Sequence, residues 1–239
     1  MSYLQGKTIL LFGGSGNLGS ELQPLLKAKG AVVVAPRSKE VDISDPNIVF
    51  QATGWHNPDI VINCAAYTDV PKAQTPEGSR KAVKLNVRGS QLVAEAAECF
   101  KAKLVYISTD YVYAGQCGDY STDEVAPFTK YGITKHMGEW FCDGDKDLVI
   151  RTSFKVRGMW GAEKHTKVFH PVYTSGDWVD IIAEMIVNSL EKTGTINVGT
   201  ERKTLKSLAQ QEFSGVEIVE KPSHLGYWYP EDCSMHIEE

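Results

Sequence analysis

Short apolar runs alternate with helix-length segments through the first two thirds of the chain, and this alternation restricts the fold more than any other feature. Strands are predicted at 8–12, 31–35, 59–66, 103–108 and 148–151, with helices at 21–30, 79–101 and 131–142 between them. Continuous apolar runs such as TILLF are typical of parallel strands buried on both faces, and helix-length connections between them make right-handed crossovers. The sequence therefore predicts an α/β fold with a doubly wound parallel sheet.

A glycine-rich turn, GGSGNLG, connects the first strand to the first helix with the spacing G-x-x-G-x-x-G. Glycines allow the backbone to approach a pyrophosphate closely, and the helix N-terminus offers it free N–H groups. Because the turn heads a βαβ unit, it predicts the dinucleotide-binding turn of a Rossmann domain, with a merely tight turn as the alternative. The residues predicted to contact the cofactor here are Gly13, Ser15, Gly16, Asn17, Leu18 and Gly19.

The end of the second strand bears on which dinucleotide is bound. The residues there are PRSK, and the first acidic side chain after them is Glu40. NAD-selective sites often place an acidic residue at this point, whereas an arginine favours the 2′-phosphate of NADP. We therefore expect NADP(H) to be preferred, with Arg37 and Ser38 near the phosphate, although NAD(H) is possible. A solvated basic turn is the other interpretation.

Tyr131 and Lys135 stand four residues apart in KYGITK and share a helical face. A tyrosine with a pKa of about 10 is a weak acid–base catalyst at neutral pH, and a nearby ammonium lowers that pKa. Ser108 and Thr109 follow the fourth strand, where ligands of open parallel sheets bind. Such pairs also occur by chance on helices, so the other motifs must support a catalytic role.

Several motifs in order resemble those of the extended short-chain dehydrogenase/reductases. They are LLFGGSGNLGSELQ, PDIVINCAAYTDV, LN, LVYISTDYVYAG, YGITKHMGEW and IRTS. The nearest resemblance is to the dTDP-4-dehydrorhamnose reductase branch, which includes the regulatory β subunit of methionine adenosyltransferase. The similarity covers about residues 7–153 well and continues as a weaker match over 171–199.

The resemblance implies a role for each matching residue. Tyr131 would be the proton donor. Lys135 would lower the pKa of Tyr131 and bind the cofactor, and Thr109 would bind the substrate oxygen. The remaining cofactor contacts implied are Asp42, Ile43, Ala65, Ala66, Tyr67 and Asn86. A buried structural asparagine is nearly as plausible for Asn86.

The segment after Ser153 departs from the family pattern, because it is shorter and its first part lacks a helical period. We expect a Rossmann domain over 1–153 and a small, shortened substrate lobe over 154–239 that is not an independent domain. This lobe carries a cluster of basic side chains against one acid, Glu163: Lys155, Arg157, Lys164, His165, Lys167 and His170. The cluster suggests a diphosphate site, or else a solvated loop. Substrate contacts are predicted for Ser108, Arg157, Lys167 and Trp178.

Composition excludes some other functions. A formal charge of −5 argues against a general nucleic-acid binder. The N-terminus lacks the pattern of a signal peptide, no apolar run is long enough for a membrane span, and the five cysteines lack metal-ligand spacing. The sequence therefore predicts a cytoplasmic protein without a metal site.

The leading hypothesis is an NADP(H)-dependent reductase of a 4-keto sugar nucleotide in deoxysugar synthesis. A non-catalytic, cofactor-binding regulatory subunit is the alternative from another class, since the shortened lobe would suit it. A sugar-nucleotide epimerase or dehydratase is a third possibility. The expected partner is a nucleotide-sugar substrate, and a homodimer is possible.

Overall fold

The computed structural model describes residues 2–161, 165–220 and 229–237. Its elements up to the fifth strand are β1 (Thr8–Phe12), α1 (Asn17–Ala28), β2 (Val32–Val34), α2 (Pro46–His56), β3 (Ile60–Asn63), α3 (Val70–Ala73), α4 (Pro76–Ala82), a π-helical segment (Val83–Gly89), α5 (Ser90–Cys99), β4 (Lys103–Ile107), a 3-10 turn (Asp110–Val112), α6 (Lys130–Glu139) and β5 (Leu148–Thr152). They are followed by β6 (Phe154–Lys155), β7 (Lys167–Phe169), β8 (Tyr173–Thr174), β9 (Asp177–Trp178), α7 (Val179–Ser189), β10 (Gly194–Val198), β11 (Lys203–Thr204), α8 (Leu205–Glu212) and β12 (Glu217–Val219). In these ranges, none of the helices has both the length and the apolar character needed to cross a membrane.

Six parallel strands form the central sheet in the spatial order β10–β5–β4–β3–β1–β2. The chain runs outward from β1 to β2 and then crosses to β3 on the other side of β1, so the winding reverses between β1 and β3. In open parallel sheets this reversal leaves a crevice at the carboxyl ends of the two strands. The doubly wound sheet predicted from the sequence is confirmed.

Alternate residues of each strand supply the cores on the two faces of the sheet, as the two-residue period of a strand requires. Ile9 and Leu11 of β1 face α1 and α7, which contribute Leu22 and Ile186 to the same apolar cluster. The other face is covered by α2 and α5, and its cluster includes the β1 residues Leu10 and Phe12, Val49 of α2, and Val93, Ala96 and Ala97 of α5. Burial on both faces explains why the central strands are continuously apolar.

Three helices differ from the sequence prediction. Helix α1 begins at Asn17 and not at Glu21, and it contains Pro24. The continuous helix predicted over 79–101 is divided into α4, the π-helical segment and α5. Helix α2 was not predicted, although Asp45 caps it through the N–H groups of Asn47 and Ile48 and Pro46 occupies its first turn.

The strand that completes the sheet comes from beyond the predicted domain boundary at Ser153. β10 pairs with β5, and α7 packs in the main core. The lobe segments between and after them have a smaller apolar cluster of their own, which contains Trp160, Val168, Trp178 and Leu208. The residues of the lobe are therefore attached to the sheet at both ends of the 153–178 segment. The division at Ser153 into a domain and a dependent lobe stays a prediction.

A buried ion pair connects the end of β5 to α6. The Arg151 guanidinium donates to both carboxylate oxygens of Glu139, from Nε at 3.1 Å and from Nη2 at 2.8 Å. Its Nη1 also donates to the Thr122 carbonyl at 2.6 Å and to the Tyr113 hydroxyl at 3.2 Å. Hydrogen bonds from Arg151, Ser108 and His136 hold the pKa of Glu139 below its ordinary value, although burial acts in the opposite direction.

Replacing one member of this pair should destabilise the protein strongly, because the other charge is left buried without its partner. For Glu139→Gln we expect a loss of about 3 kcal/mol in the free energy of unfolding, measured by urea denaturation at neutral pH. Glu77→Gln is the control, because Glu77 pairs with Lys81 on the surface, and it should cause no detectable change. Equal stability of the two variants would contradict the assigned role.

The same substitution should change the response to acid. A carboxyl group with a lowered folded-state pKa contributes stability above its unfolded value, and this contribution is lost as the pH falls through the folded-state pKa. For Glu139 that loss begins near the ordinary value of 4.5 and continues below it. Stability curves of wild type and Glu139→Gln should therefore converge as the pH falls below that value.

Candidate active site

A cleft opens at the carboxyl ends of β1 and β3, where the winding of the sheet reverses. It consists of two connected cavities of about 490 and 420 Å³. Gly13, Gly16, Cys64 and Ala66 line both cavities, so the glycine turn forms the boundary between them. The larger cavity extends to β4, α6 and β6, and the smaller one to the end of β2.

The glycine turn is shaped by close backbone contacts. Gly13 has a φ of +78°, and a Cβ atom there would lie 2.6 Å from the backbone nitrogen of Ala65. A Cβ atom on Gly19 would collide with the Gly13 carbonyl oxygen. Gly16 is the N-cap of α1 and has no side chain to satisfy the first N–H groups of the helix. These groups are available to an anion at the floor of the cleft.

The smaller cavity is lined by Ser15, Ser38, Asp42, Ile43 and Ala65. Asp42 accepts hydrogen bonds from the backbone N–H and the hydroxyl of Ser44, at 2.9 and 2.6 Å, and these bonds lower its pKa. These predicted cofactor contacts thus lie together, whereas Tyr67 lines neither cavity and the exposed Arg37 side chain is not part of the lining. The backbone N–H of Arg37 donates to the Glu40 carboxylate.

Asn86 does not line either cavity and is completely buried in the π-helical segment. Its side-chain oxygen accepts from the Tyr67 N–H at 2.7 Å, and its side-chain nitrogen donates to the Tyr67 carbonyl at 3.1 Å and to the Thr134 hydroxyl at 3.0 Å. The asparagine therefore joins the loop after β3 to α6. It supports the cleft from behind, where the resemblance implied a cofactor contact.

The larger cavity brings Thr109, Tyr131 and Lys135 together. Thr129 caps α6 by accepting the Gly132 N–H at 2.9 Å, which fixes Tyr131 in the first turn of the helix. Gly132 permits the close approach of the Tyr111 carbonyl, with which any Cβ atom would collide. The Tyr111 ring packs edge-on against Tyr131, with ring centroids 5.9 Å apart.

Thr109 is hydrogen-bonded on both sides. Its hydroxyl donates to the Asp110 carboxylate at 3.1 Å and accepts the Tyr111 N–H at 3.2 Å. Its one proton therefore points to Asp110 in this structure, and rotation of the hydroxyl is needed before it can donate to a substrate oxygen. Burial raises the pKa of Asp110.

Lys135 differs from its expected role. Its ammonium donates to the Ile107 carbonyl at 2.6 Å and lies 4.1 Å from the centre of the Tyr106 ring. Burial lowers the pKa of Lys135 to about 8. Burial also raises the pKa of Tyr131 to about 12, with Thr109 acting in the opposite direction, and Lys135 is not among the causes. The Lys135 ammonium is thus directed to Ile107 and Tyr106. The lowering of the Tyr131 pKa by Lys135 stays a prediction.

The predicted substrate contacts are only partly brought together. Ser108 lines the larger cavity, but its hydroxyl donates to Glu139. Arg157 makes a bidentate pair with Asp180 on the surface, and Lys167 pairs with Glu217 at 3.3 Å. Neither of these cations lines the cleft.

Trp178 is also absent from the cleft lining, because it belongs to the core of the lobe. Its ring lies 5.8 Å from that of Trp160, and its Nε1–H donates to Gln211 at 3.0 Å. Trp178 is only 2% exposed. Lys164 and Glu163 of the predicted basic cluster lie outside the described residues. The idea of the whole basic cluster acting as one site is not supported, since Arg157 and His165 line a different cavity from the one that contains Lys155.

The cleft residues that were not predicted as site residues include Asp110, Thr152 and Lys155. Asp110 stands next to Thr109 in STDYVY, and Thr152 belongs to IRTS, so the motifs contained a signal for both. Lys155 was noted only as a member of the basic cluster. Nothing in the charge pattern separates it from Arg157, because the difference arises from which side chains have acidic neighbours.

The winding reversal, the glycine turn and the Tyr131–Lys135 pair together define a Rossmann-type protein of the short-chain dehydrogenase/reductase class. Residues 7–192 match the family model described as RmlD substrate binding domain. The chain therefore belongs to the RmlD substrate binding domain family, and the resemblance inferred from its motifs is confirmed.

Individual relatives carry the name dTDP-4-dehydrorhamnose reductase. That of Streptomyces griseus is 42% identical over 153 residues, which cover 63% of this chain and 49% of the relative. The chain spans about half the length of the curated relatives it matches. The crystal structure of the Bacillus anthracis enzyme in complex with NADP has a TM-score of 0.86 and 26% identity, covering 98% of this chain and 92% of that one. A hypothetical reductase from Sulfolobus tokodaii gives 0.84 and 30%, covering 96% and 92%.

Removal of the Asn86 side chain should destabilise the protein, because it leaves the Tyr67 N–H and carbonyl without their partners. For Asn86→Ala we expect a loss of about 2–3 kcal/mol in the free energy of unfolding by denaturant titration. Gln91→Ala on α5 is the control, since Gln91 bonds only to the surface side chains Arg88 and Glu95. A loss no greater than that of the control would refute the supporting role of Asn86.

Proposed function

We propose that this chain is an NADP(H)-dependent reductase that acts on the keto group of a 4-keto sugar nucleotide, in the manner of a dTDP-4-dehydrorhamnose reductase. The observation that carries this proposal is the shared cleft: Thr109, Tyr131 and Lys135 line the same cavity as the glycine turn. A dinucleotide held at the turn would therefore reach the three polar side chains. The relatives' name indicates the substrate class.

The residues present fit a nicotinamide dinucleotide. Gly13 and Gly19 allow the close backbone contacts that shape the turn, and the uncapped N-terminus of α1 offers N–H groups to its diphosphate. Asp42 and Ile43 line the smaller cavity, which would hold the adenosine half of the cofactor. The Lys135 ammonium has three donors and uses one on Ile107, so the others are available to the cofactor ribose. The reduced nicotinamide supplies a hydride for the ketone carbon when it is bound.

Tyr131 gives the substrate oxygen its proton in the proposed reaction. The raised pKa of Tyr131 keeps the phenol protonated at neutral pH, which is the form a proton donor requires. Thr109 would hold the same oxygen after its hydroxyl turns away from Asp110. Tyr111 restricts the position of the Tyr131 ring by edge-on packing. Together these side chains orient a carbonyl and stabilise the negative charge that develops on its oxygen.

The preference for NADP(H) over NAD(H) rests on the end of β2. Ser38 lines the adenosine half, and the exposed Arg37 beside it can turn toward a 2′-phosphate. Asp42 is the acidic residue of this cavity, and its carboxylate is engaged by Ser44. These features favour a phosphate-bearing ribose, and NAD(H) is the alternative.

Turnover should depend on the Tyr131 hydroxyl. Wild type and Tyr131→Phe would be assayed with NADPH and a panel of 4-keto sugar nucleotides, following absorbance of the reduced cofactor. We expect kcat to fall by roughly 10²–10⁴-fold in the variant, since proton donation is lost, while NADPH affinity is retained. Tyr3→Phe, remote from the cleft, should behave as wild type. Retained turnover in Tyr131→Phe would contradict the assignment of Tyr131 as the proton donor. Absence of turnover in wild type would favour a regulatory subunit.

Arg37→Asp should discriminate between the two dinucleotides. We expect the Kd for NADPH to rise roughly tenfold and the Kd for NADH to change little, because only NADPH has a 2′-phosphate. Fluorescence titration of each reduced cofactor measures both values. Lys27→Asp is a control with the same change of charge on the exposed end of α1. Equal effects of Arg37→Asp on both cofactors would remove the assigned preference.

A further inference from the structure

The wall of the larger cavity that faces the lobe contains a lysine without an assigned role. Lys155 belongs to β6, which follows β5 directly and pairs with β9 at Trp178. This pairing holds the segment against the lobe core, and it places Lys155 in the lining of the cavity that also contains Thr109 and Tyr131. Lys135 and Lys155 are the two lysines in that lining, and Lys155 is the one contributed by β6.

Lys155 has no hydrogen-bond or ion-pair partner among the described residues. Within the described ranges its ammonium makes no hydrogen bond and no ion pair shorter than 4 Å. Asp110 is near enough to affect it electrostatically, and burial lowers the pKa of Lys155 while the Asp110 charge raises it. Burial disfavours the charged form of a lysine, and a lysine held in a cleft without an ion-pair partner is available to a ligand.

A second polar group on the same wall also has no partner. The Thr152 hydroxyl is buried, lines the cavity and makes no hydrogen bond. Buried hydroxyl groups in folded proteins normally have partners, so an unpaired one on a cleft wall indicates a ligand atom at that place. Thr152 ends β5 and Lys155 is three residues later, so one short segment supplies both groups.

We propose that Lys155, assisted by Thr152, binds an oxyanion of the substrate on the lobe side of the cleft. This inference rests on the proposed function, since it assigns the group that holds the sugar nucleotide against Tyr131. The oxyanion can be a diphosphate oxygen of the nucleotide or a carboxylate on the sugar, and both would accept hydrogen bonds from an ammonium and a hydroxyl.

Arg157 and Lys167, the other cations of the lobe that were predicted to contact the substrate, are paired elsewhere. Arg157 is neutralised by Asp180 and Lys167 lies beside Glu217, and both side chains are largely exposed. Of the described members of the basic cluster, Lys155 is thus the one that lines the cleft. Lys167→Met provides a matched control for Lys155→Met, because it removes the same charge from the same lobe.

Binding measurements test this assignment independently of turnover. Calorimetric titrations of the full chain, with saturating NADP⁺ present, would use thymidine diphosphate, thymidine, glucuronate and glucose. For Lys155→Met we expect the Kd of one of the two anions to rise roughly tenfold to hundredfold, as loss of a charge-assisted hydrogen bond implies. The Kd values for the neutral compounds and for NADP⁺ should stay unchanged. Lys155→Arg should restore much of the affinity, and Lys167→Met should match wild type.

Two further comparisons separate anion binding from a structural role. Asp110→Asn should tighten anion binding, since it removes a negative charge near Lys155, whereas a purely structural Asp110–Lys155 unit predicts no gain. Thermal unfolding identifies any variant that fails to fold, and Lys155→Gln then replaces Lys155→Met.

The possible outcomes are distinct. A selective loss of thymidine diphosphate affinity assigns the diphosphate, and a selective loss of glucuronate affinity assigns a sugar carboxylate. Unchanged affinity for both anions in Lys155→Met, or failure of wild type to bind either, overturns the inference. Wild-type turnover with an unaltered KM in Lys155→Met would also overturn it while leaving the proposed reductase function intact. Loss of anion affinity without wild-type turnover would support the site and refute the function.

Discussion

The contact between Glu139 and Arg151 is the constraint on which the cleft depends. Arg151 lies in β5 and Glu139 at the end of α6, so their bidentate pair fixes the helix that carries Tyr131 and Lys135 against the sheet. Ser108 at the end of β4 donates to the same carboxylate. Three segments that line the larger cavity thus meet at one buried carboxyl group. Because both charges are buried, removal of either one would leave the other without a partner in an apolar environment.

The cleft walls differ in how completely their polar groups are satisfied. On the cofactor side, Asn86, Asp42 and the loop after β3 form closed sets of hydrogen bonds. On the lobe side, Thr152 and Lys155 have no such partners. The hydrogen bond from Thr109 to Asp110 lies between the two sides and can be redirected by rotation of one hydroxyl. The arrangement suits the proposed function, in which the cofactor half of the site is preformed and the substrate half is completed by its ligand.

Much of the sheet could be predicted from the sequence, since strands buried on both faces are continuously apolar and TILLF or DIVIN shows this directly. The glycine turn and Tyr131 could be recognised because the spacing of the glycines and of Tyr131 and Lys135 is local in the sequence. Helix α2 escaped prediction because its apolar residues lack a clear period, although Asp45 and Pro46 are a start signal. The lobe could not be predicted in the same way. Arg157 is paired with Asp180, whereas Lys155 is only affected electrostatically by Asp110. Both acidic residues are brought near these cations by tertiary packing, which the sequence does not show.

The pairing of β10 with β5 affects how the chain can be divided. β10 follows the lobe segment 153–178 and α7 in sequence but covers the edge of β5 in the sheet. A fragment ending at Ser153 would leave β5 with one row of unpaired backbone groups and would uncover the apolar face that α7 shields. Such a fragment would be prone to edge-to-edge aggregation. The lobe segment, in contrast, contains β6 to β9 and is part of the connection between the adjacent strands β5 and β10, so changes in its length can be accommodated without altering the order of the sheet.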